Sequence, residues 1–208
     1  TKIQDMQREV NLADPGAGVV QNIVNTADAT IMGFEAESRV RLTDSLIVTA
    51  NLGLIDDEYD EILFDISGDG NGIITDEDFN LRIPRVPAVT WGVGLIHELF
   101  LGDSEILTRV NYQYRDEFAY TDDNLGFIQD ISNLEANITW VTPLEGLSLS
   151  VYGRNLFDEV QAGGDTQVPF GGPRSTGVRQ PFAEAPPAGT CSTLNRGRSD
   201  GIEAVIEF

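Results

Sequence analysis

The sequence contains one cysteine, Cys191, and one histidine, His97. A lone cysteine cannot form a disulfide within the chain, so only a cysteine outside it could pair with Cys191. A lone histidine cannot supply a zinc site built on several histidines, and no convergent set of side chains around it predicts catalysis. We therefore expect a protein that is not an enzyme. We expect His97 to follow a strand and to lie at the rim of the sheet without a functional role.

Basic residues are also scarce, with 13 Lys and Arg against 34 Asp and Glu, which gives a formal net charge of -21. Nucleic-acid binding requires basic patches, so this balance argues against a nucleic-acid partner. It is typical of a cation-binding or heavily hydrated surface. The acidic run at 56–61 fits a solvated loop, and a divalent bridge to lipopolysaccharide is the sharper alternative.

No apolar run approaches the ~18–20 residues that a membrane-spanning helix needs. This absence leaves a membrane barrel open, because its strands need only ~9–11 residues and are apolar on one face alone. The composition, with 41% apolar and 23% charged residues, excludes a chain that is disordered throughout.

The end of the chain alternates between apolar and polar residues, which is the pattern of a β-strand. Ile202, Ala204, Ile206 and Phe208 share one face, and Glu203 and Glu207 lie on the other. Similar alternation recurs along the chain and predicts about eight strands. The strands with the clearest alternation are predicted over 31–42, 46–54, 89–95, 106–114, 134–140 and 147–151. The alternation over 1–11 is weaker.

The connections between these strands are unequal in length. They are short near Asp44, Gly102 and Glu145, and longer near four further points: Gly16, Gly70, Asp122 and Gly172. We expect loops or polar insertions at Leu12 to Gly18, Asp56 to Pro84, Ala119 to Phe127 and Gln161 to Asn195. Short turns at one end and long loops at the other are typical of outer-membrane barrels.

The fold class that we predict is all-β: an antiparallel up-and-down transmembrane β-barrel built from about eight strands. A soluble β-sandwich with a solvated polar face is the alternative. In a barrel the polar face would line a wet lumen, where arginines meet a plug or a substrate, or pair with neighbouring glutamates. The predicted lumen-facing residues are Glu35, Glu37, Arg39, Arg41, Arg109, Arg115 and Glu135.

A calcium loop is a second hypothesis for the acidic, glycine-rich stretch 65–78. Such loops use oxygen ligands at positions 1, 3, 5, 7, 9 and 12, with glycine at position 6. A frame that starts at Ser67 fits this spacing, although aspartate is expected there, and a frame that starts at Asp65 fits less well. An acidic turn that binds nothing tightly is the alternative. The predicted ligands are Ser67, Asp69, Asn71, Ile73 through its carbonyl, Thr75 and Asp78.

Three motifs resemble one family. The stretch V-Y-G-R-N-L-F-D-E at 151–159 resembles the segment that ends the penultimate strand of TonB-dependent outer-membrane receptors. The residues Gly197-Arg198, Gly201-Ile202-Glu203 and the terminal Phe208 resemble the closing strand of the same family. The hairpin T-I-M-G-F-E-A-E…L-I-V-T-A-N-L-G-L-I-D-D-E-Y at 30–59 resembles an earlier hairpin of these barrels.

The resemblance implies that residues 1–208 are the C-terminal segment of a barrel of about 22 strands, without its plug domain. It implies active uptake of a scarce nutrient of siderophore, cobalamin or glycan type, in the outer membrane of a Gram-negative bacterium. Phe208 would be the barrel-terminal signal at the periplasmic rim, and the long loops would be extracellular. The implied partners are membrane lipid, the barrel assembly machinery and, through the plug, the TonB–ExbB–ExbD system.

Two rival functions remain at this stage. One is a self-contained small outer-membrane barrel with a structural or adhesive role. The other is a soluble calcium-binding β-domain. Calcium in an extracellular loop is the only cofactor that the sequence suggests, and the imported ligand cannot be named from it.

Overall fold

A computed structural model describes residues 1–14, 18–63, 66, 73–120, 122, 124, 126–160, 162–167 and 190–207. The described part is almost entirely β-structure. Its elements are β1 (Lys2–Asp14), β2 (Gly18–Thr43), β3 (Leu46–Ile62), α1 (Asp76–Phe79), β4 (Val89–Leu101), β5 (Ser104–Arg115), β6 (Phe118–Ala119), β7 (Phe127–Ile128), β8 (Ile131–Val141), β9 (Leu147–Arg154), β10 (Ala162–Gln167), β11 (Thr190–Leu194) and β12 (Ser199–Ile206).

Eight of the strands form one sheet in the order β1-β2-β3-β4-β5-β8-β9-β12. Every neighbouring pair is antiparallel and consecutive along the main meander. The strands β6-β7 and β10-β11 form two small hairpins within the longer connections. The predicted antiparallel up-and-down architecture of eight strands is confirmed.

The register keeps apolar residues together on one face of the sheet, which we call the outer face. One row across four strands is Val48, Leu95, Val110 and Ala136. Side chains on this face remain exposed in the chain alone; the exposed fraction is 58% for Phe34 and 80% for Ile202. Monomeric soluble proteins rarely expose so wide an apolar surface, whereas the lipid-facing side of a barrel requires one.

The unequal connections also follow the prediction. Tight turns at Asp44–Ser45 and Gly102–Asp103, and the five residues 142–146, join strands at one end of the sheet. Gly102 and Gly146 adopt positive φ angles of 63° and 75° there, which glycine does at little cost. The longer connections 63–88, 116–130 and 155–198 all lie at the opposite end, which we call the loop end.

Two predicted loop boundaries are wrong, because three strands continue beyond the apolar band. Residues 12–14 still belong to β1 and Gly18 to β2, so the predicted loop over 12–18 is largely strand. Likewise β3 runs on to Ile62, so 56–62 is not part of an insertion. Proline and glycine suggested the first loop and polar composition the second, but the backbone pairing of β1, β2 and β3 continues outside the apolar band.

Smaller corrections apply to two other predicted loops and to His97. The range 119–127 contains the ends of the β6-β7 hairpin, and 161–195 contains β10 and β11, with Cys191 on β11. His97 lies within β4 rather than after it, paired with Leu46 and Thr108 on the outer face. Phe208 lies outside the described residues.

A small apolar core lies at the loop end, on the inner face of the sheet. It is formed by Ala27, Ala29, Tyr59, Ile62, Ile66 and Ile83, none of them more than 7% exposed. Since Ile66 and Ile83 belong to the connection 63–88, this core packs that connection onto β2 and β3. The loop end is therefore a folded layer above the apolar band.

Irregularities in the pairing keep this core on one face. Pairing shifts by one residue at Thr26 in β2 and at Asp60 in β3, where the strands bulge. Without the shift at Asp60, Ile62 would turn away from Ala27, because side chains alternate between faces. An irregularity in β1 between Ile3 and Met6, where Asp5 has a φ of 51°, similarly brings Met6 and Arg8 to the inner side.

No helix in the described part of the chain is long and apolar enough to cross a membrane.

Candidate functional site

The predicted lumen-facing residues all lie on the face opposite the apolar one, the inner face. Glu37 pairs with Asn51, Arg39 with Thr49, and Glu135 with Asn111. The remaining four residues of the prediction occupy the same face: Glu35, Arg41, Arg109 and Arg115. Within the described residues they form no ion pair with one another, and Arg115 instead lies over the Phe118 ring and donates to the Gln129 carbonyl at 3.5 Å.

A cavity of about 680 Å³ lies against this inner face where β5, β8, β9 and β12 meet. Its lining includes Arg109 and Arg154, Glu135 and Glu203, and the phenol of Tyr152. The charges balance, so the cavity offers both donors and acceptors rather than a field of one sign. Such a wall can contact a polar segment or a passing polar solute.

Between β3 and β4 the inner face is lined by small side chains. Gly53 pairs with Thr90, Asn51 with Gly92, and Thr49 with Gly94. A Cβ atom at Gly92 would lie 3.1 Å from both the Asn51 amide and the Tyr112 carbonyl oxygen. Close approach of neighbouring groups therefore requires glycine there.

At the loop end, the guanidinium of Arg8 joins three elements. It donates a 2.9 Å hydrogen bond to the Tyr59 hydroxyl on β3 and forms an ion pair with Asp122 in the connection 116–130. The Arg8 side chain is only 12% exposed. Sequence reasoning did not single out Arg8 or Asp122, because they are 114 residues apart and no local pattern connects them.

Burial shifts the pKa values of Arg8 and Tyr59 in opposite directions. Removal from water lowers the pKa of Arg8, and the nearby positive charge of Arg85 lowers it further, while Tyr59 opposes both effects. Burial likewise raises the pKa of Tyr59, against a smaller opposing effect of Arg8. Tyr59 therefore stays neutral at physiological pH and acts as a hydrogen-bonding group.

The connections 63–88 and 116–130 are bonded to each other. The Arg82 amide donates to the Asn124 side-chain oxygen at 2.8 Å, and the Asn124 amide group donates back to the Arg82 carbonyl at 2.9 Å. Nearby, the Arg85 amide donates to the Ala119 carbonyl at 2.7 Å. Arg85 has a φ of 67°, in the left-handed region, and its guanidinium lies 4.8 Å from the centre of the Tyr120 ring.

The predicted calcium ligands are only partly described. Ser67, Asp69 and Asn71 lie outside the described residues. Thr75 and Asp78 form a capping box on α1: Asp78 accepts the Thr75 amide at 2.8 Å, and Thr75 accepts the Glu77 amide at 3.2 Å. Asp78 is fully buried and also accepts the Ile66 amide at 3.1 Å. These bonds give both residues a structural role, and calcium binding stays a prediction.

Ile73, the predicted carbonyl ligand, precedes this cap and is 62% exposed. Within the part of the chain that the structure covers, no three His, Cys, Asp or Glu side chains gather as a metal site would require.

The motif N-L-F-D-E at 155–159 forms a tight turn that joins the last strands. The Asn155 amide group donates to the Glu159 carbonyl at 2.8 Å, and its oxygen accepts the Glu159 amide at 3.0 Å. Glu159 accepts the Ser132 amide of β8 at 2.8 Å, and Asp158 accepts the Arg198 amide before β12 at 2.8 Å. In this chain the motif therefore fastens β8, β9 and β12 together at the loop end.

Solved structures of uptake receptors match this arrangement over nearly the whole chain. The ferric yersiniabactin uptake receptor FyuA from Yersinia pestis aligns over 100% of this chain with a TM-score of 0.71 and 20% identity. The siderophore receptor PiuA from Acinetobacter baumannii aligns over 98% with a TM-score of 0.63 and 16% identity. The copper transporter OprC aligns over 100% with a TM-score of 0.58 and 17% identity.

The chain has the fold of a segment of these receptor barrels. The resemblance that the motifs indicated is thereby confirmed for the fold. The chain spans about a quarter of the receptors it matches: 26% of FyuA, 24% of PiuA and 28% of OprC. No protein-family model and no curated protein matches the sequence.

Proposed function

We propose that the chain is the C-terminal barrel segment of a TonB-dependent outer-membrane receptor, which takes up a scarce nutrient of siderophore, cobalamin or glycan type. The observation that carries this proposal is the two-faced sheet of eight strands, which overlays receptors and transporters along its full length. In this assignment the outer face contacts lipid, the inner face lines the lumen, and the loop end is extracellular.

The polar and uneven surface of the inner face supports a transport role. A polar wall, whose arginines and glutamates form no ion pair within the described residues, lies on one continuous surface with a furrow of small residues and a charge-balanced cavity. A solute or a plug segment can move along such a wall by exchanging weak polar contacts with it. Energy would come from the TonB–ExbB–ExbD system, and the barrel assembly machinery would insert the protein.

Uptake measurements in the source bacterium test this proposal. The gene that contains the chain is deleted, and cells are supplied with radiolabelled ferric siderophores, labelled cobalamin or labelled oligosaccharides. We expect uptake of one probe to fall to the background of a strain without TonB, and to return when the gene is restored. A protonophore should abolish the same uptake, because TonB delivers energy from the proton gradient.

The control is a strain that carries the receptor with Val110→Ile, a conservative change on the outer face, and its uptake should equal that of the wild type. Unchanged uptake of every probe in the deletion strain, together with recovery of the protein without detergent, would overturn both the transport and the membrane assignments.

A further inference from the structure

Positive charge is scarce in this chain, yet arginines gather at the loop end of the inner face. Arg8, Arg82 and Arg85 come from two distant stretches and meet around the connection 116–130. The whole chain has only 13 basic residues against 34 acidic ones. This cluster of positive charge contrasts with the net negative charge of the molecule. A specific anion would stabilise it.

Two of these arginines have their donors engaged within the protein. Arg8 bonds Tyr59 and pairs with Asp122, while the guanidinium of Arg82 donates to the Glu117 carbonyl at 3.0 Å. Arg85 differs, because within the described residues its guanidinium has neither a carboxylate nor a carbonyl partner. It lies over the Tyr120 ring, and its side chain is exposed.

The backbone holds Arg85 in an unusual conformation. A φ of 67° is uncommon in a residue other than glycine, and such outliers persist where the surroundings determine them. Here the Arg85 amide is fixed by the Ala119 carbonyl, and Ala119 is fully buried. Ile83, two residues earlier, is anchored in the apolar core and donates its amide to Asp57 at 2.7 Å.

The neighbours of Arg85 are suited to an anion. Tyr120 supplies a ring face that orients the guanidinium, and Asp122, two residues further along, is already neutralised by Arg8. An oxyanion that approaches from the inner face would therefore meet the free fork of Arg85, whose geometry matches a carboxylate or a phosphate.

We propose that Arg85, stacked on Tyr120 and supported by the Arg8–Asp122 pair, binds an anionic group of the imported ligand at the mouth of the barrel. This inference rests on the proposed uptake function and selects anionic ligands within it. The site lies on the inner face, so the group belongs to a soluble ligand rather than to a lipid of the surrounding membrane.

Direct binding to the full-length detergent-solubilised receptor tests the site, with three iron chelates of different charge as probes. These are ferric citrate, which is anionic, ferrichrome, which is neutral, and ferrioxamine B, which is cationic. We expect ferric citrate to bind most tightly, with an affinity that falls as salt is raised. Arg85→Asn should weaken it by about 10- to 100-fold, since the variant loses the hydrogen bonds of a charged donor.

Asparagine tolerates the left-handed backbone, so this variant should fold, which heat-modifiable migration on a gel will verify. Arg85→Lys should recover only part of the affinity, because lysine keeps the charge without the fork. The matched control, Arg198→Asn at an exposed arginine of the connection 155–198, should leave binding unchanged. Equal affinity for the three probes, no binding of ferric citrate, or unchanged binding in Arg85→Asn would each overturn the site.

The two proposals fail in different ways. A deletion strain with unchanged uptake, combined with charge-selective binding that depends on Arg85, refutes transport and leaves the anion site standing. Normal TonB-dependent uptake of a neutral or cationic probe, combined with no effect of Arg85→Asn, refutes the anion site alone.

Discussion

At the scale of single residues, the motif that indicated the family has a clear structural reason. Asn155 and Asp158 both adopt positive φ angles, 49° and 58°, which asparagine and aspartate tolerate better than most residues. Both side chains then accept backbone amides that the turn would otherwise leave without partners. The motif is thus required by the geometry that joins β9 to its neighbours.

Replacement of Asn155 by alanine should lower the free energy of unfolding by about 2–3 kcal/mol. The two hydrogen bonds to Glu159 are lost, at about 1 kcal/mol each, together with a weak 3.4 Å bond to the Arg196 carbonyl, and alanine pays about 1 kcal/mol for the left-handed backbone. The measurement is urea unfolding of the full-length protein in lipid vesicles. Asn155→Gly keeps the conformation and loses only the bonds, so it should lie between the wild type and alanine; equal losses in both variants would contradict the backbone contribution.

Tyr59 should ionise at higher pH than exposed tyrosines, because burial raises its pKa above 10.0. In the unfolded chain the same phenol ionises near its ordinary value. Between these two pKa values the unfolded state loses its proton first, so the Tyr59 contribution to stability is complete below about pH 10 and declines as pH rises above it.

Absorbance titration at alkaline pH measures this pKa, when the titration curve of the Tyr59→Phe variant is subtracted from that of the wild type. We expect the difference to appear at higher pH than the titration of exposed tyrosines. Tyr59→Phe should also flatten the alkaline loss of stability. A difference signal that coincides with the exposed tyrosines would show that the phenol is open to water.

At the scale of elements, alternation predicted the strands inside the apolar band and little outside it. In 31–42 and 46–54 one face is apolar and the other is polar, so the alternation is strict and the hairpin was correctly predicted. Toward the loop end, past Met32 in β2 and Asp56 in β3, the outer-face residues need not be apolar. The bulge at Asp60 also interrupts the alternation there. The ends of these strands were therefore predicted wrongly as loops.

The candidate site was less predictable than the strands. The inner-face positions of Glu37 and Arg39 follow from period-2 alternation alone. The convergence of Arg8 with Asp122, and of Arg85 with Tyr120, depends on how two connections fold over the sheet. No local sequence pattern encodes such long-range contacts between loops.

The orientation of the sheet can be tested with adjacent residues of β5. Val110→Arg places a charge on the outer face, where it should destabilise the protein by about 2–4 kcal/mol if it lies near the bilayer midplane. Asn111→Arg places the same charge on the inner face and should cost less than about 1 kcal/mol. The fraction of full-length protein that assembles as a heat-modifiable barrel reports both; equal assembly of the two variants would contradict the assignment of faces.

At the scale of the whole molecule, the sheet has two strands with one described neighbour each. The strand β1 pairs only with β2, and β12 only with β9, in the part of the chain that the structure covers. A row of free amide and carbonyl groups therefore follows each edge. In lipid or detergent such groups must find partners, because an unsatisfied backbone group in an apolar medium costs several kcal/mol.

We expect residues 1–208, refolded alone in detergent, to associate through these edges rather than to remain monomeric. Light scattering coupled to size exclusion measures the mass of protein in each complex, to be compared with the 22.7 kDa of one chain. Proline substitutions at Val151 and Ile202 disrupt the β9-β12 pair and serve as a control for sheet integrity. A homogeneous monomer with heat-modifiable migration would instead mean that β1 and β12 close on each other as a complete small barrel. That outcome would favour the structural or adhesive alternative over transport, since a closed barrel of eight strands leaves an interior that side chains fill.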